Sequence, residues 1–172
     1  KTFQKADSMA DSGDTIDLTD INNPILSTLS PTDNATEIAV DANLVITFDE
    51  PVDRETGNIL IKKTSDNSSV ETIDVNSVNV TISSSTVIIT ITQLEYETNY
   101  FIEIEVGAFV DGSGNNYAGI SDNSTWSFTT EMAPDAQAPI IVSLSPANAA
   151  TDVTISTDLA ITFDEDMNKW SD

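Results

Sequence analysis

Apolar and polar residues alternate with a period of two along the central part of the chain. In "NYFIEIEV" (99–106), Glu103 and Glu105 fall on the face opposite to the apolar side chains, which are Tyr100, Ile102, Ile104 and Val106. This period, in runs of β-branched residues bounded by Ser, Asn, Asp and Gly, predicts strands and not helices. The predicted strands span residues 25–29, 37–40, 43–49, 58–63, 70–75, 77–82, 86–91, 99–106 and 125–130.

Strands of this length and spacing predict an all-β fold. Short strands separated by turn residues over about 110 residues are typical of an antiparallel β-sandwich of two sheets. Leu44, Ile46 and Phe48 share one face of their strand, which marks them as core residues. Trp126 and Phe128 in the last predicted strand are expected to fill the same core.

The chain contains an internal repeat. "NPILSTLSPTDNATEIAVDANLVITFDEPVD" (23–53) aligns with "APIIVSLSPANAATDVTISTDLAITFDEDMN" (138–168) at a constant offset of 115 residues. "ITFDE" recurs unchanged, and Asp20 recurs as Asp135. Such a repeat predicts tandem copies of one unit. The predicted divisions are an acidic leader or linker (1–22), a complete module (23–131), a linker (132–138) and the truncated start of a second module (139–172). An extra strand around "TIDLTD" is the alternative for the leader.

The charge and the missing residue types exclude several functions. The chain has 29 acidic and 6 basic residues and a formal net charge of −23. Such a surface repels nucleic acid and anionic membranes and favours divalent cations as ligands. The lack of Cys and His excludes thiolate chemistry, imidazole bases and nearly all zinc and copper sites. No apolar run approaches the ~18 residues that a transmembrane helix needs, so no transmembrane segment is predicted.

Three segments carry a family resemblance: the opening "SPTDNAT" (30–36), the strand "ITFDEPVD" (46–53) and the close "GAFVDGSGNNYAGISDNSTWSFTT" (107–130). Together they closely resemble the bacterial Ig-like modules called SbsA-type, first associated with S-layer proteins. The resemblance covers residues 24–130, and the second copy follows it until "KWSD" departs from the family pattern after Asn168.

The resemblance implies an Ig-like β-sandwich that serves in tandem arrays of S-layer proteins, surface adhesins and secreted multidomain enzymes. In those proteins the module spaces, stiffens or assembles and does not catalyse. The resemblance therefore implies an extracellular or cell-surface location, with neighbouring Ig-like modules as partners.

The loop before the last strand is the first candidate calcium site. Asp111, Ser113 and Asn115 stand at i, i+2 and i+4, and Asp122 follows Asp111 by eleven positions, which partly matches an oxygen-rich calcium loop. The match is incomplete, because Asn116 stands where glycine is wanted and an aspartate replaces the closing glutamate. A loop rich in glycine and asparagine explains the same residues without a metal.

A second group of carboxylates lies at a strand end. Asp49, Glu50 and Asp53 surround a proline and could share a calcium ion; Arg54 and water are the alternative partners. Because "ITFDE" recurs at 161–165, this group belongs to the module and is not a unique active site.

A hinge aspartate is the third candidate for calcium, the one cofactor that the sequence suggests. Asp135 precedes Pro139 by four residues, as Asp20 precedes Pro24. Proline narrows the range of angles between neighbouring modules. Calcium held between Asp135 and acidic side chains of the preceding module would narrow that range further.

The second copy has too few strands to bury its own apolar face. Ile155, Leu159, Ile161 and Phe163 are therefore predicted to be exposed unless they are covered. Packing on the first module is one way to cover them. Strand pairing with a neighbouring chain, giving a homo-oligomer or filament, is the other.

No pair of carboxylates stands out as the acid and base of a glycosidase, so the chain is predicted not to be an enzyme. Carbohydrate binding needs coplanar exposed aromatic side chains, and Tyr96, Tyr117 and Trp170 are the aromatic residues not assigned to the core. The sequence predicts a structural spacer or assembly module of a secreted or cell-surface bacterial protein, such as an S-layer protein, stalk or adhesin. The alternative is an accessory module, for carbohydrate binding or spacing, of a secreted multidomain hydrolase.

Overall fold

The computed structural model describes residues 20–167, and every regular element in this range is a strand. The all-β prediction is confirmed. Trp170 and nearly all of the acidic leader, including its alternative strand, lie outside the described residues. Nothing in the described range forms a helix with the length and apolar character needed to cross a membrane. The strands are β1 (Leu26–Ser30), β2 (Ala35–Ile38), β3 (Leu44–Phe48), β4 (Val52–Arg54), β5 (Asn58–Lys63), β6 (Ser69–Asp74), β7 (Val80–Ser83), β8 (Thr86–Ile89), β9 (Asn99–Ile104), β10 (Phe109–Asp111), β11 (Ser127–Thr130), β12 (Ile141–Ser145) and β13 (Ala160–Phe163).

Two main sheets form the first unit, which extends to Ala133. One sheet has the order β1-β3-β8-β7, with neighbouring strands antiparallel. The other has the order β2-β11-β9-β5-β6 and is antiparallel except for β2 and β11, which run parallel. The chain passes from the first sheet to the second between β1 and β2. This arrangement is an Ig-like β-sandwich.

The inward faces of both sheets form one core. Leu44, Ile46 and Phe48 are buried, as their alternation predicts, and Trp126 and Phe128 are buried with them. Each large apolar side chain removed from water in this way stabilises the fold by about 1.5–3 kcal/mol. The second sheet contributes Ile59, Ile61, Ile73, Tyr100, Ile102 and Ile104 to the same core.

Two short strands are absent from the sequence prediction. β4 and β10 have three residues each, too few to show a period, and they form a two-stranded ribbon with each other. Phe109 lies opposite Arg54, and Asp111 lies opposite Val52. This ribbon is important for the site, because it brings two distant acidic segments together.

One detail of the sequence prediction is wrong, and one aromatic residue that the sequence left unassigned joins the core. β9 ends at Ile104, where the chain turns so that Ala108 N–H bonds the carbonyl of Glu105 at 3.2 Å. Val106 is therefore 71% exposed and does not share the core face. Tyr117, left outside the predicted core, is buried and packs edge-on against the ring of Phe48 at 5.0 Å between centroids.

The second unit begins at Pro134, within the predicted linker, and contains the paired strands β12 and β13. Its register copies that of β1 and β3: Leu144 lies opposite Ile161 as Leu29 lies opposite Ile46, and both pairs of strands carry a bulge near their start. Ile155, Leu159 and Ile161 are exposed as predicted, Leu159 to 86%, whereas Phe163 is half-buried.

Candidate functional site: an acidic cluster in the first unit

Three carboxylates converge in the first unit. The carboxylate oxygens of Asp20, Glu50 and Asp111 lie within 4.8 Å of one another. We call these residues the acidic cluster. Asp111 is buried, and Asp20 and Glu50 are half-buried. The cluster draws on three separate segments of the sequence: the hinge before Pro24, the end of the "ITFDE" strand and the loop after β10.

The β4–β10 ribbon accounts for most of this convergence. Its register places Asp111 opposite Val52, which follows Glu50 by two positions. Asn115 then fixes the hinge, because its side-chain amide donates to the main-chain carbonyl of Asp20 at 2.7 Å. One ribbon and one side-chain hydrogen bond thus bring residues from three regions of the chain to one point.

The loop after β10 folds around the carboxylate of Asp111. Oδ1 accepts hydrogen bonds from the main-chain N–H groups of Ser113 at 2.9 Å and Asn115 at 2.7 Å, and Oδ2 accepts from the Asn115 amide at 2.8 Å. Burial opposes ionisation of this carboxyl group, but the hydrogen bonds from Asn115, Ser113 and Gly114 outweigh it, so the pKa of Asp111 is lowered. The fold therefore holds a negative charge in a buried position.

The second unit repeats part of this arrangement. Asp135 Oδ1 accepts from Gln137 N–H at 2.9 Å, as Asp20 Oδ1 accepts from Asn22 N–H at 3.1 Å. Burial raises the pKa of Glu165, the counterpart of Glu50, and the charges of Asp135 and Asp164 raise it further. The Asp–Glu half of the cluster therefore belongs to the repeated module.

Asp49 and Asp53, predicted beside Glu50, are not among the three clustered residues. Asp49 Oδ1 accepts from Ile25 N–H at 2.9 Å, which ties the end of β3 to the start of β1. Asp164 makes the same bond to Ile140 at 2.8 Å in the second unit. Asp53 lies on β4 opposite Val110 with an exposed side chain.

Asp122, predicted to close the loop site with Asp111, lies in a separate turn. Its carboxylate accepts four hydrogen bonds of 2.7–2.8 Å from the main chain and hydroxyls of Ser124 and Thr125. The bonds from Ser124, and then those from Thr125, lower the pKa of Asp122 to about 2. This aspartate holds the turn that leads into β11.

Sequence reasoning placed Glu50 and Asp111 in different candidate sites and did not name Asp20 as a ligand. The sequence did contain one indication for Asp20, which is its recurrence as Asp135. The two aspartates are separated by the same 115 residues that separate the core residues of the two copies, as expected for a residue with a role in the module. No feature of the sequence indicated that β4 pairs with β10.

The fold and the cluster define the class of protein: a bacterial-type Ig-like sandwich repeated in series, with a carboxylate cluster built into the module. The chain belongs to the bacterial Ig-like domain family, whose model matches residues 20–130 and again 135–171. The match is to the family as a whole, and membership of the SbsA-type group stays a prediction. Domains of this family are structural modules without catalytic activity, typical of surface and secreted proteins.

No curated protein matches the chain. Among solved structures, the chain is similar to CopC from Methylosinus trichosporium OB3b, with 11% sequence identity and a TM-score of 0.46 over 66% of this chain and 99% of that one.

Proposed function

We propose that the chain is a spacer and assembly segment of a secreted or cell-surface bacterial protein, such as an S-layer protein, a stalk or an adhesin. The observation that carries this proposal is the recurrence of one Ig-like unit in series, in sequence and in strand register. A module whose apolar residues fill its own core and whose carboxylates hold turns is suited to a mechanical use.

The rival function is an accessory module that binds polysaccharide. Among the described residues no aromatic side chain is exposed: Tyr96 is half-buried and Tyr117 is buried. A flat aromatic platform is therefore missing from this part of the chain. In pull-down assays with cellulose, chitin and peptidoglycan, we expect no retention above that of a Tyr96→Ala variant. Saturable retention that this variant loses would replace the spacer function with polysaccharide binding.

We also propose that the acidic cluster holds calcium and stiffens the start of the module. Carboxylate oxygens are the ligands that calcium prefers. Like charges this close repel one another, and a divalent cation between them removes the repulsion. Calcium shared by Asp20, Glu50 and Asp111 would tie the hinge to the ribbon, and Asp135 with Glu165 would offer two of these three ligands in the second unit.

Thermal unfolding with calcium and with a chelator tests this site. A ligand that binds only the folded state at 100 times its dissociation constant adds about 2.7 kcal/mol of stability. For a domain of this size that corresponds to a rise of about 10 °C or more in the melting temperature. We expect Glu50→Gln and Asp111→Asn to abolish the rise.

Asp53→Asn is the matched control, because it removes one nearby exposed carboxylate that lies outside the cluster. It should keep the full calcium effect. If all three variants respond to calcium as the unsubstituted chain does, calcium acts only as a counterion and the proposed site is wrong.

Finally, we propose that the exposed face of the second unit pairs with a second copy of the chain. Leu144 and Ile161 occupy the positions that Leu29 and Ile46 hold in the first unit, where Ile46 is fully buried. In the second unit Ile161 is 56% exposed. An apolar sheet face of this kind is typical of an association surface.

Sedimentation at several concentrations, in salt sufficient to screen the net charge, tests the pairing. We expect a dimer that Ile161→Asp abolishes. Val78→Asp, at a residue 96% exposed in the first unit, adds the same charge elsewhere and should leave the dimer intact. A monomer at every concentration, or equal loss in both variants, would refute the pairing.

A further inference from the structure

The outward side of the first sheet, which faces away from the core, forms two rows of side chains across the four strands. Residues of one row lie directly opposite one another on neighbouring strands. The first row, in which every side chain carries a hydroxyl, is Thr28, Thr47, Thr86 and Ser83. The second row, in which two aliphatic side chains lie between two hydroxyls, is Ser30, Val45, Ile88 and Thr81. We call the two rows the uncharged face.

The strands of the first sheet, β1, β3, β7 and β8, contain no charged residue. This is unusual in a chain of which 20% of the residues are charged and which has a net charge of −23. The strands of the second sheet differ: they contain Glu37, Lys62, Lys63, Glu71, Asp74 and Glu103. The charged groups of the sandwich are therefore kept on the second sheet and in the loops.

The second unit repeats the part of the uncharged face that two strands can form. β12 and β13 contain no charged residue. Thr162 occupies the position of Thr47, and Ser145 lies opposite Ala160 as Ser30 lies opposite Val45. The absence of charge from this side is thus a property of the repeated module and not of one copy.

The charge of the rest of the molecule limits what this face can bind. An anionic partner is repelled by the net charge of −23. A cationic partner is drawn to the carboxylates of the loops and of the second sheet. The partner that fits the face is therefore an uncharged surface. The chain itself provides such a surface, because two copies that meet through this face bring no carboxylate of one strand against a carboxylate of the other.

The uncharged face is small. Four strands about 4.8 Å apart, with two rows about 7 Å apart, present roughly 300 Å². Because a stable complex buries about 800 Å² on each partner, we expect a dissociation constant on the order of 1 mM for one such contact. At the micromolar concentrations of a sedimentation experiment this contact is hardly populated. Weak contacts become effective when several are linked in one chain, and the family model matches two successive segments here.

We propose that the uncharged face is a lateral contact between copies of this chain, in which the first sheets of two modules pack with their outward sides together. The inference rests on the proposed assembly function for its use in the cell. It concerns a different surface from the apolar face of the second unit. Packing of this kind leaves the second sheet, with its charged side chains, in contact with solvent.

NMR of the full chain at rising concentration tests this contact. All samples carry Ile161→Asp, so that pairing through the second unit does not contribute, and contain about 0.5 M sodium chloride to screen the net charge. Between about 0.05 and about 2 mM, we expect the amide resonances of Val45, Thr86 and Ile88 to move, and that of Thr72 on the second sheet to stay fixed. Salt lowered to about 0.02 M should abolish the movement, because the repulsion between copies returns.

Two substitutions of the same kind separate the two sheets. Ile88→Asp places a carboxylate within the uncharged face, at a residue 37% exposed, and should abolish the movement. Val70→Asp is the matched control, because it makes the same aliphatic-to-acidic change on β6 of the second sheet, at a residue 41% exposed. It should leave the movement unchanged. Thr81→Asp, at an exposed position opposite Ile88, should also abolish the movement, and it keeps the test decisive if Ile88→Asp does not fold.

Three results would overturn the proposal. Resonances that stay fixed at every concentration would show that the face makes no contact. Equal effects of Ile88→Asp and Val70→Asp would show unspecific association. Movement that appears only when soluble cello- or chito-oligosaccharides are added would make an uncharged glycan the partner in place of a second copy. Sedimentation of the unsubstituted chain reports the pairing through the second unit, so either contact can fail without the other.

Discussion

Carboxylates of the same type do different work in this molecule according to their hydrogen-bond donors. Asp122 holds a turn, Asp49 joins two strand ends, and Asp33 bridges the first and last strands of the second sheet. Only Asp111 is a buried carboxylate among the described residues. The sequence marks Asp49, Asp111 and Asp122 as candidate ligands, and the structure shows which hydrogen-bond donors each of them already has.

The pKa of Asp122 can be tested by following its carboxyl group by NMR as the pH falls. The folded protein should show a pKa of about 2, because Ser124 and Thr125 donate to the ionised form. Replacing Ser124 by Ala and Thr125 by Val together should raise this pKa toward its ordinary value. Since the folded pKa is below that of the unfolded chain, the stability from this group is present above about pH 4 and is lost as the pH falls toward about 2.

Asp66 provides the internal control in the same titration. Its pKa is lowered by hydrogen bonds from Ser68 and so should not respond to changes at Ser124 and Thr125. A shift of both aspartates in the double substitution would mean that the variant has altered the fold as a whole.

At the scale of the elements, alternation predicted the strands of four or more residues in the first unit and missed the two strands of three residues. β3 and β5 lie within predicted segments, because each buries every second residue. The prediction missed β4 and β10 because three residues are too few to show a period. These strands form because they pair with each other. β9 ends before Val106 because the chain turns at Gly107 to begin β10.

The loop between β10 and β11 can be tested at a glycine that packs against β9. Gly119 has φ +79°, and a Cβ there would collide with the carbonyl oxygen of Ile104 and lie 3.0 Å from Val106 N. The positive φ and the close contacts with backbone atoms would both strain an alanine at this position. Gly119→Ala should therefore lower the free energy of unfolding by about 3 kcal/mol. Chemical denaturation measures this loss.

Gly112→Ala is the matched control in the same loop, because no atom lies within 4 Å of a Cβ at that position. We expect a change within about 0.5 kcal/mol. Similar losses at both glycines would show that the loop is sensitive to any substitution and that contact with β9 is not the reason.

At the scale of the whole molecule, a net charge of −23 acts against compactness. Within residues 20–167 there are two ion pairs, Lys62–Glu103 at 3.0 Å and Lys63–Glu95 at 2.7 Å. Such surface pairs contribute about 0–1 kcal/mol each. The core, and not charge pairing, must therefore hold the fold together.

The melting temperature should consequently rise with ionic strength. Between about 0.02 and 0.5 M sodium chloride the screening length falls from roughly 20 Å to roughly 4 Å, which removes most of the repulsion between exposed carboxylates. We expect the melting temperature, measured by differential scanning calorimetry, to rise by several degrees over this range. Glu50→Gln should show the same rise with salt. A melting temperature that falls with salt would show that attraction between charges outweighs repulsion.

The amino-acid sequence by itself determined the strand-forming period, the core residues Leu44, Ile46 and Trp126, and the repeat at 115 residues, because each of these is written in local order or in direct recurrence. Only the tertiary structure decided that Asp20, Glu50 and Asp111 meet and that β2 lies parallel to β11. The first depends on the register of β4 with β10, whose partners lie 55–59 positions apart, and the second on the register of β2 with β11, whose partners lie 92–93 positions apart. No local pattern of side chains encodes which distant strand a given strand will join.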